Sequence, residues 1–397
     1  MDFKLTAEQE AFRDSVRGFA QRHLAAGALE RAHTPAFPWD VARLMAEQGL
    51  LGITLPEADG GQGGTLMDAV IAIEEVAAVC PRSADVIQAG NFGPLRTFAE
   101  YASAEQRRRY LPDLLAGRKV IALGMSEPEA GSAATDLKTV AAPDGDGFRL
   151  NGSKVFTTHS PDATLFLVYV QFGKGVGGIG SVLLERDQPG FTLGRKTGFM
   201  GGEEWQQLYF EDCHVPPDQV LLPAGGFKRQ IEGFNAERIG NTARSLAVGR
   251  HAFNLAREHS KNRRQFGRAL CEFQGIQWKI ADMAMNLDAA QLLLYRAAVN
   301  AEHGLPSPYE TAVAKAMCNK VGFEVAHEAV QILGGPGYST DSLAEYWSDA
   351  RLDDCRRFDR DDEEPDRRGG VRPPASRSGR NGAINPGNPD AATSGTR

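Results

Sequence analysis

The sequence has no paired cysteines: Cys80, Cys213, Cys271, Cys318 and Cys355 stand singly, without C-x-x-C spacing or paired histidines nearby. That pattern offers neither a metal site of the zinc type nor a disulfide framework, and it suits a reducing compartment. No apolar run approaches the roughly 20 residues that span a bilayer, so no membrane-crossing helix is expected. A basic surplus is missing too. The formal charge of -7 argues against a general nucleic-acid binder, which needs a basic face. The start, Met1-Asp2-Phe3-Lys4-Leu5, lacks a basic segment followed by an apolar one. No signal peptide is therefore expected, and a cytoplasmic location is. The glycine run Gly60-Gly61-Gln62-Gly63-Gly64 is followed by no G-K-[ST] and sits in no strand-to-helix unit. It reads as a turn rather than a phosphate loop.

What is present is globular: apolar residues at 42% and charged residues at 24%, in 397 residues that call for two to three packed units. Phe12, Val16 and Phe19 follow helical spacing after Thr6, a candidate N-cap with Gln9 three residues on. Further helices are expected at Trp39 to Glu47, Leu66 to Val79 and Ala104 to Leu115. Near Lys119 the texture changes to strand-sized pieces. Asp144-Gly145-Asp146-Gly147 reads as a hairpin turn, and Leu165 to Val170 as a buried strand. A small antiparallel barrel or sandwich is expected there. Long helices then return at Ala236 to Asn262, Phe273 to Ala301 and Tyr309 to Leu333, with a shorter one near Ser342 to Leu352. Gly240, Ala243, Ala247 and Gly249 allow close contact along the first. The expected fold class is α+β multidomain: a helical domain over 1–117, a β domain over 118–225 and a four-helix bundle over 226–352.

The chemistry concentrates in two short stretches. Gly124-Met125-Ser126-Glu127-Pro128-Glu129-Ala130-Gly131-Ser132 follows a strand and offers backbone N–H groups and two hydroxyls. Alone, such a run fits an ordinary loop equally well. Asn151-Gly152-Ser153-Lys154 follows about twenty residues later. Arg263-Arg264-Gln265-Phe266-Gly267, then Phe273-Gln274, and finally Gln331-Ile332-Leu333-Gly334-Gly335-Pro336-Gly337-Tyr338 complete an ordered set. Together these motifs resemble the acyl-CoA dehydrogenase family, and the helical, strand-rich, helical order agrees independently.

The resemblance implies FAD as cofactor, an acyl-CoA or acyl-carrier-protein thioester as substrate, and an electron-transferring flavoprotein as acceptor. It places Leu123, Met125, Ser126, Phe156, Thr157 and Thr158 around the isoalloxazine ring. Phe156 stands where the family usually has Trp, and Thr158 where a hydroxyl meets flavin N5. Arg263, Gln265, Phe266, Gln274, Gln331, Gly334 and Gly335 would serve the FAD of a neighbouring subunit, so a homo-oligomer is implied, dimer or tetramer. Arg suits such work because its planar fork pairs with phosphate oxygens. Ser132, Asn235 and Arg238 would hold the thioester.

Dehydrogenation removes the α-proton of the thioester as a hydride leaves the β-carbon, which needs a carboxylate base in an apolar cavity. The family uses two places. At the first, shortly after Asp349-Ala350-Arg351-Leu352, this chain has Arg357 and no Gly-Thr. At the second it has Glu237-Arg238, as in the isovaleryl- and long-chain-type branches, so Glu237 is the candidate catalytic residue. The alternative is an ordinary surface Glu. Ala133 replaces the family's Asp after A-G-S, and Glu203 stands where an Arg commonly follows M-G. The run Ala130-Gly131-Ser132-Ala133-Ala134 also resembles the desulfinase branch. A desulfinase-like or oxygen-using reaction, or a catalytically impaired flavin- or thioester-binding protein, are the competing readings. His159 and His214 read as structural or solvated.

The last stretch, Asp353 to Arg397, holds nine arginines and no lysine, with little apolar beyond Phe358, Val371 and Ile384. It cannot bury enough surface to offset an ordering entropy of about 1–2 kcal/mol per residue, so disorder is expected. Asp and Glu interleaved from Asp353 to Asp366 argue against nucleic-acid binding. Family pattern stops abruptly after Leu352, which favours a translated frameshift over a divergent tail.

Overall fold

A computed structural model describes residues 4–199 and 202–340; the expected short helix at Ser342 to Leu352, Arg357 and the tail lie outside them. The first part is helical: α1 (Ala7–His23), α2 (Ala28–Ala32), α3 (Trp39–Glu47), α4 (Leu66–Ala77), α5 (Pro81–Asn91), α6 (Gly93–Tyr101) and α7 (Ala104–Leu115). Three of these helices begin with a reciprocal cap. Thr6, Thr65 and Ser103 accept from the N–H three residues on, and Gln9, Asp68 and Gln106 reach back to the cap N–H. The box at Thr6 is the one its sequence predicts. The pair α5 and α6 is not anticipated by the sequence pattern. α5 is buried on nearly every side, with Arg82, Ser83, Asp85, Gln88 and Asn91 inside, so it carries no amphipathic stripe to read.

Next come β1 (Ile121–Gly124), β2 (Val140–Asp144), β3 (Gly147–Thr158), β4 (Leu165–Gln171), β5 (Ile179–Glu185), β6 (Phe191–Leu193), β7 (Thr197–Gly198), β8 (Glu204–Val215) and β9 (Val220–Leu222). They form one sheet in the order β6-β8-β3-β2-β4-β5-β9, with β1 on β4 and β7 on β8. The hairpin at Asp144 to Gly147 is present, with Gly145 at φ +64 in its turn. The sheet is mixed rather than wholly antiparallel. The β2–β3 hairpin intervenes between β1 and β4, and these two strands run parallel. β4 is buried along its whole length, as its unbroken apolar run requires.

The last part comprises α8 (Phe227–Asn262), a hairpin of β10 (Arg264–Gln265) and β11 (Arg268–Ala269), α9 (Gln274–Ala301) and α10 (Pro308–Leu333). α8 packs on α10, α9, α4 and α6, so it is the axis of the molecule's helical half. Its small residues do what their spacing suggests. A Cβ on Gly249 would lie 2.9 Å from the Cα of Gly322, so only glycine permits this approach of α8 to α10. Among the described residues no helix is long and apolar enough to cross a membrane.

Candidate active site

β1 and β3 bring the two motif segments together. The Val155 N–H donates to the Ser126 carbonyl at 2.8 Å, tying the loop after β1 to the end of β3. There β3 bulges: its register against β8 shifts between Lys154 and Thr157, and Phe156 sits at φ 55. A bulge re-aims side chains at the cost of local strain. Here it turns Phe156 outward, 42% exposed, with its ring 4.7 Å from that of Trp205. Thr157 is buried on the other side of the strand, and Thr158 returns to the Phe156 side, facing a cavity.

That cavity collects Leu123, Met125 and Ser126 from the end of β1 and its loop, and Phe156 and Thr158 from β3. Gly93 and Pro94 of α6, with Phe234 and Glu237 of α8, line it too. Glu237 is half-buried. The Gln88 amide donates to its backbone carbonyl at 3.3 Å. Gly93, at φ +56, leaves backbone beside its carboxyl; a Cβ there would lie 3.9 Å from Glu237 Cδ.

Another part of the wall is charged, and sequence reasoning missed it. Asp85, Glu203, Arg244 and Lys315 line the cavity. Asp85 accepts from Arg82 at 2.6 Å and pairs with Arg244. Arg82 also reaches Glu203 at 3.3 Å and donates to the Pro35 and Ala36 carbonyls at 2.7 and 3.1 Å. The signals in the sequence were the three-residue spacing of Arg82 and Asp85 and the departure at Glu203, neither of which showed that these residues meet.

His159, at φ 62, also lines the cavity and meets the Phe37 ring edge-on at 5.3 Å. Burial pushes its imidazole down to about 4. A depressed base is bound more weakly by protons in the folded chain than in the unfolded one. Its contribution is complete above the unfolded value of about 6.5 and is lost as pH falls toward 4. His159→Gln is expected to flatten the thermal-stability profile between those limits by roughly 2–3 kcal/mol. Parallel unfolding curves from pH 7 to 4 check it; a difference that does not change with pH defeats it. His214 is exposed, 3.9 Å from Asp144.

The remaining candidates do not reach this cavity within one chain. Ser132 is exposed on its loop. Arg238 donates to Asn235 at 2.9 Å and lies over the Phe234 ring, one residue from Glu237. Arg263 closes α8, and Gln265 leads into a two-residue turn made by Phe266 (φ 51) and Gly267 (φ 80). Phe266 is 94% exposed at its tip. Gln274 begins α9, and Gln331, Gly334 and Gly335 lie exposed at the end of α10.

Models of the acyl-CoA dehydrogenase N-terminal, middle and C-terminal domains match residues 6–118, 122–213 and 224–355. The short-chain-specific acyl-CoA dehydrogenase of Clostridium acetobutylicum is 36% identical over 86% of this chain and 91% of its own length. The 3-sulfinopropanoyl-CoA desulfinase of Paraburkholderia xenovorans is 34% identical over 88% of this chain and 92% of its own. The solved butyryl-CoA dehydrogenase from Megasphaera elsdenii superposes with a TM-score of 0.84 at 32% identity, covering 90% of this chain and 96% of that one. A flavin fits the residues present: the bulge holds an aromatic face out beside the hydroxyls of Ser126 and Thr158. The chain belongs to the acyl-CoA dehydrogenase family of FAD-dependent oxidoreductases acting on CH–CH groups.

Proposed function

We propose that this chain catalyses α,β-dehydrogenation of a short acyl thioester, with Glu237 as the base. The observation that carries the reading is the one cavity shared by Glu237 and the segments at Leu123 to Ser126 and Phe156 to Thr158. FAD bound there supplies the acceptor for the hydride of the β-carbon. Phe156 offers the ring an apolar face, and Thr158 a hydroxyl. Glu237 takes the α-proton, while Phe234, Pro94 and Leu123 keep water from the space around it. Ser132, Asn235 and Arg238 are assigned to the thioester. Arg263, Gln265, Phe266, Gln274, Gln331, Gly334 and Gly335 are assigned to the FAD of a neighbouring copy, so a homo-oligomer is the working unit. An electron-transferring flavoprotein is the assigned acceptor.

The charged wall argues against a long alkyl chain, because charges exact a desolvation cost when covered by apolar groups. It favours a short acyl group with a polar end. In an anaerobic panel followed at the flavin absorbance, a four- or five-carbon thioester with a polar end should bleach the flavin at least about tenfold faster than octanoyl-CoA. Equal or faster bleaching by octanoyl-CoA would reject that substrate class, and no bleaching by any thioester would reject dehydrogenation. The same wall favours a second reading, sulfinate removal from a sulfinated acyl thioester. Sulfite release without net flavin bleaching would select it.

A further inference from the structure

Two charged residues of the motif segments have no place in the proposed chemistry, yet they are among the most deeply buried. Lys154 and Glu127 form an ion pair at 2.8 Å, with side chains 0% and 3% exposed. Each also binds backbone groups. The Lys154 ammonium donates to the Met125 carbonyl at 3.1 Å. The Glu127 carboxylate accepts from the N–H groups of Lys138 and Thr139, the latter at 3.0 Å. Thr139 in turn donates from its hydroxyl to the Ser153 carbonyl at 3.2 Å.

We infer that Glu127 and Lys154 are positioning residues that make the two flavin segments and the thioester loop one rigid unit. Lys154 lies two residues before Phe156 and holds the carbonyl of Met125, so it fixes the strand end against the loop after β1. Glu127 bonds to the far end of the loop 127–139, which carries Ser132, and so closes that loop on itself. The stretches Gly124 to Ser132 and Asn151 to Lys154 each supply one half of this buried pair. Charge-assisted bonds of this kind are strong and directional, and once paired the two groups put no net charge into the core. Reach into the cavity is left to the neighbouring backbone and to Ser126, Phe156 and Thr158.

This inference rests on the flavin reading of the segments, and the experiment separates the two. The variants are Glu127→Gln, Lys154→Met and the double Glu127→Gln/Lys154→Met, in the full-length protein. Three quantities are measured: FAD affinity by titrating the deflavinated protein, thioester affinity from the flavin spectral shift with a non-reducible analogue, and thermal stability. Each single variant is expected to weaken FAD binding by about 10- to 100-fold. Glu127→Gln should also weaken the thioester analogue, through Ser132. The double variant should regain most of the stability lost by Lys154→Met, because no unpaired charge remains. It should not regain FAD affinity, because the Met125 carbonyl still lacks its donor. FAD affinity within about threefold of wild type in the folded variants, or affinity restored together with stability in the double, overturns the inference. A wild-type protein that binds no FAD overturns the flavin reading itself, and with it the inference.

Discussion

Glu237→Gln should slow reduction of bound flavin by an acyl thioester by about 10²- to 10⁴-fold, the usual range for removing a positioned general base. Retention of FAD is expected, because Glu237 is assigned no contact with the cofactor and Gln preserves its volume. The backbone of α8 at this point also stays anchored, since the bond from Gln88 is to the Glu237 carbonyl and not to its side chain. Two other carboxylates line the cavity, but Asp85 is engaged by Arg82 and Arg244, and Glu203 by Arg82. Stopped-flow reduction under anaerobic conditions measures the effect. A wild-type rate in Glu237→Gln, with a large loss in Glu203→Gln, would move the base to Glu203. Binding of a non-reducible thioester analogue should change less than threefold or so, because the interaction removed acts on the transition state.

How much of this was legible in the sequence depended on whether a local pattern existed to be read. α1 follows periodic apolar residues and its Thr6–Gln9 cap, the three long helices follow long stretches with few breakers, and the β2–β3 turn follows Gly145. α5 had no such pattern, because a helix buried on all sides shows no polar face. Its Arg82 and Asp85 look like surface residues in one dimension and become interior ones only once Glu203 and Arg244 arrive from distant parts of the chain. The parallel β1–β4 pair was hidden for a similar reason: pairing direction depends on what intervenes, not on either strand. Motif matching picked out the two segments that meet at the cavity, but it could not divide roles within them. Glu127 lies beside Ser126, and Lys154 four residues before Thr158, yet their side chains point into the core rather than the cavity.

The second large effect is expected at Asp85. Asp85→Ala should destabilise the protein by about 3–5 kcal/mol, the usual cost of removing one partner from a buried ion pair. Both carboxylate oxygens are in use, Oδ2 by Arg82 and Oδ1 by Arg244, and the side chains of Asp85 and Arg82 are each 2% exposed. Arg82 would keep Glu203 and two backbone carbonyls, which softens its loss; Arg244, at 17% exposed, keeps some access to the cavity. Denaturant unfolding of the FAD-free and FAD-saturated forms checks the figure without confusing it with cofactor loss. A loss below about 1 kcal/mol in the FAD-free form would mean that Arg82 and Arg244 re-pair without cost. A buried ion pair is nevertheless weak evidence of a stabilising role, since a well-packed apolar replacement of the whole group is often neutral or better. The triple variant Arg82→Met/Asp85→Leu/Arg244→Met, built in a Glu203→Gln background so that the Glu203 carboxylate is not left without Arg82, tests that distinction. If the cluster exists for stability, the triple variant should be as poor as Asp85→Ala. If it exists to shape the acyl cavity, the triple variant should recover most of the lost stability while octanoyl-CoA overtakes the polar-ended thioester in reducing the flavin. The second outcome is the expected one, because Asp85, Glu203, Arg244 and Lys315 of this wall all line the cavity and a core built only to be stable would be apolar there.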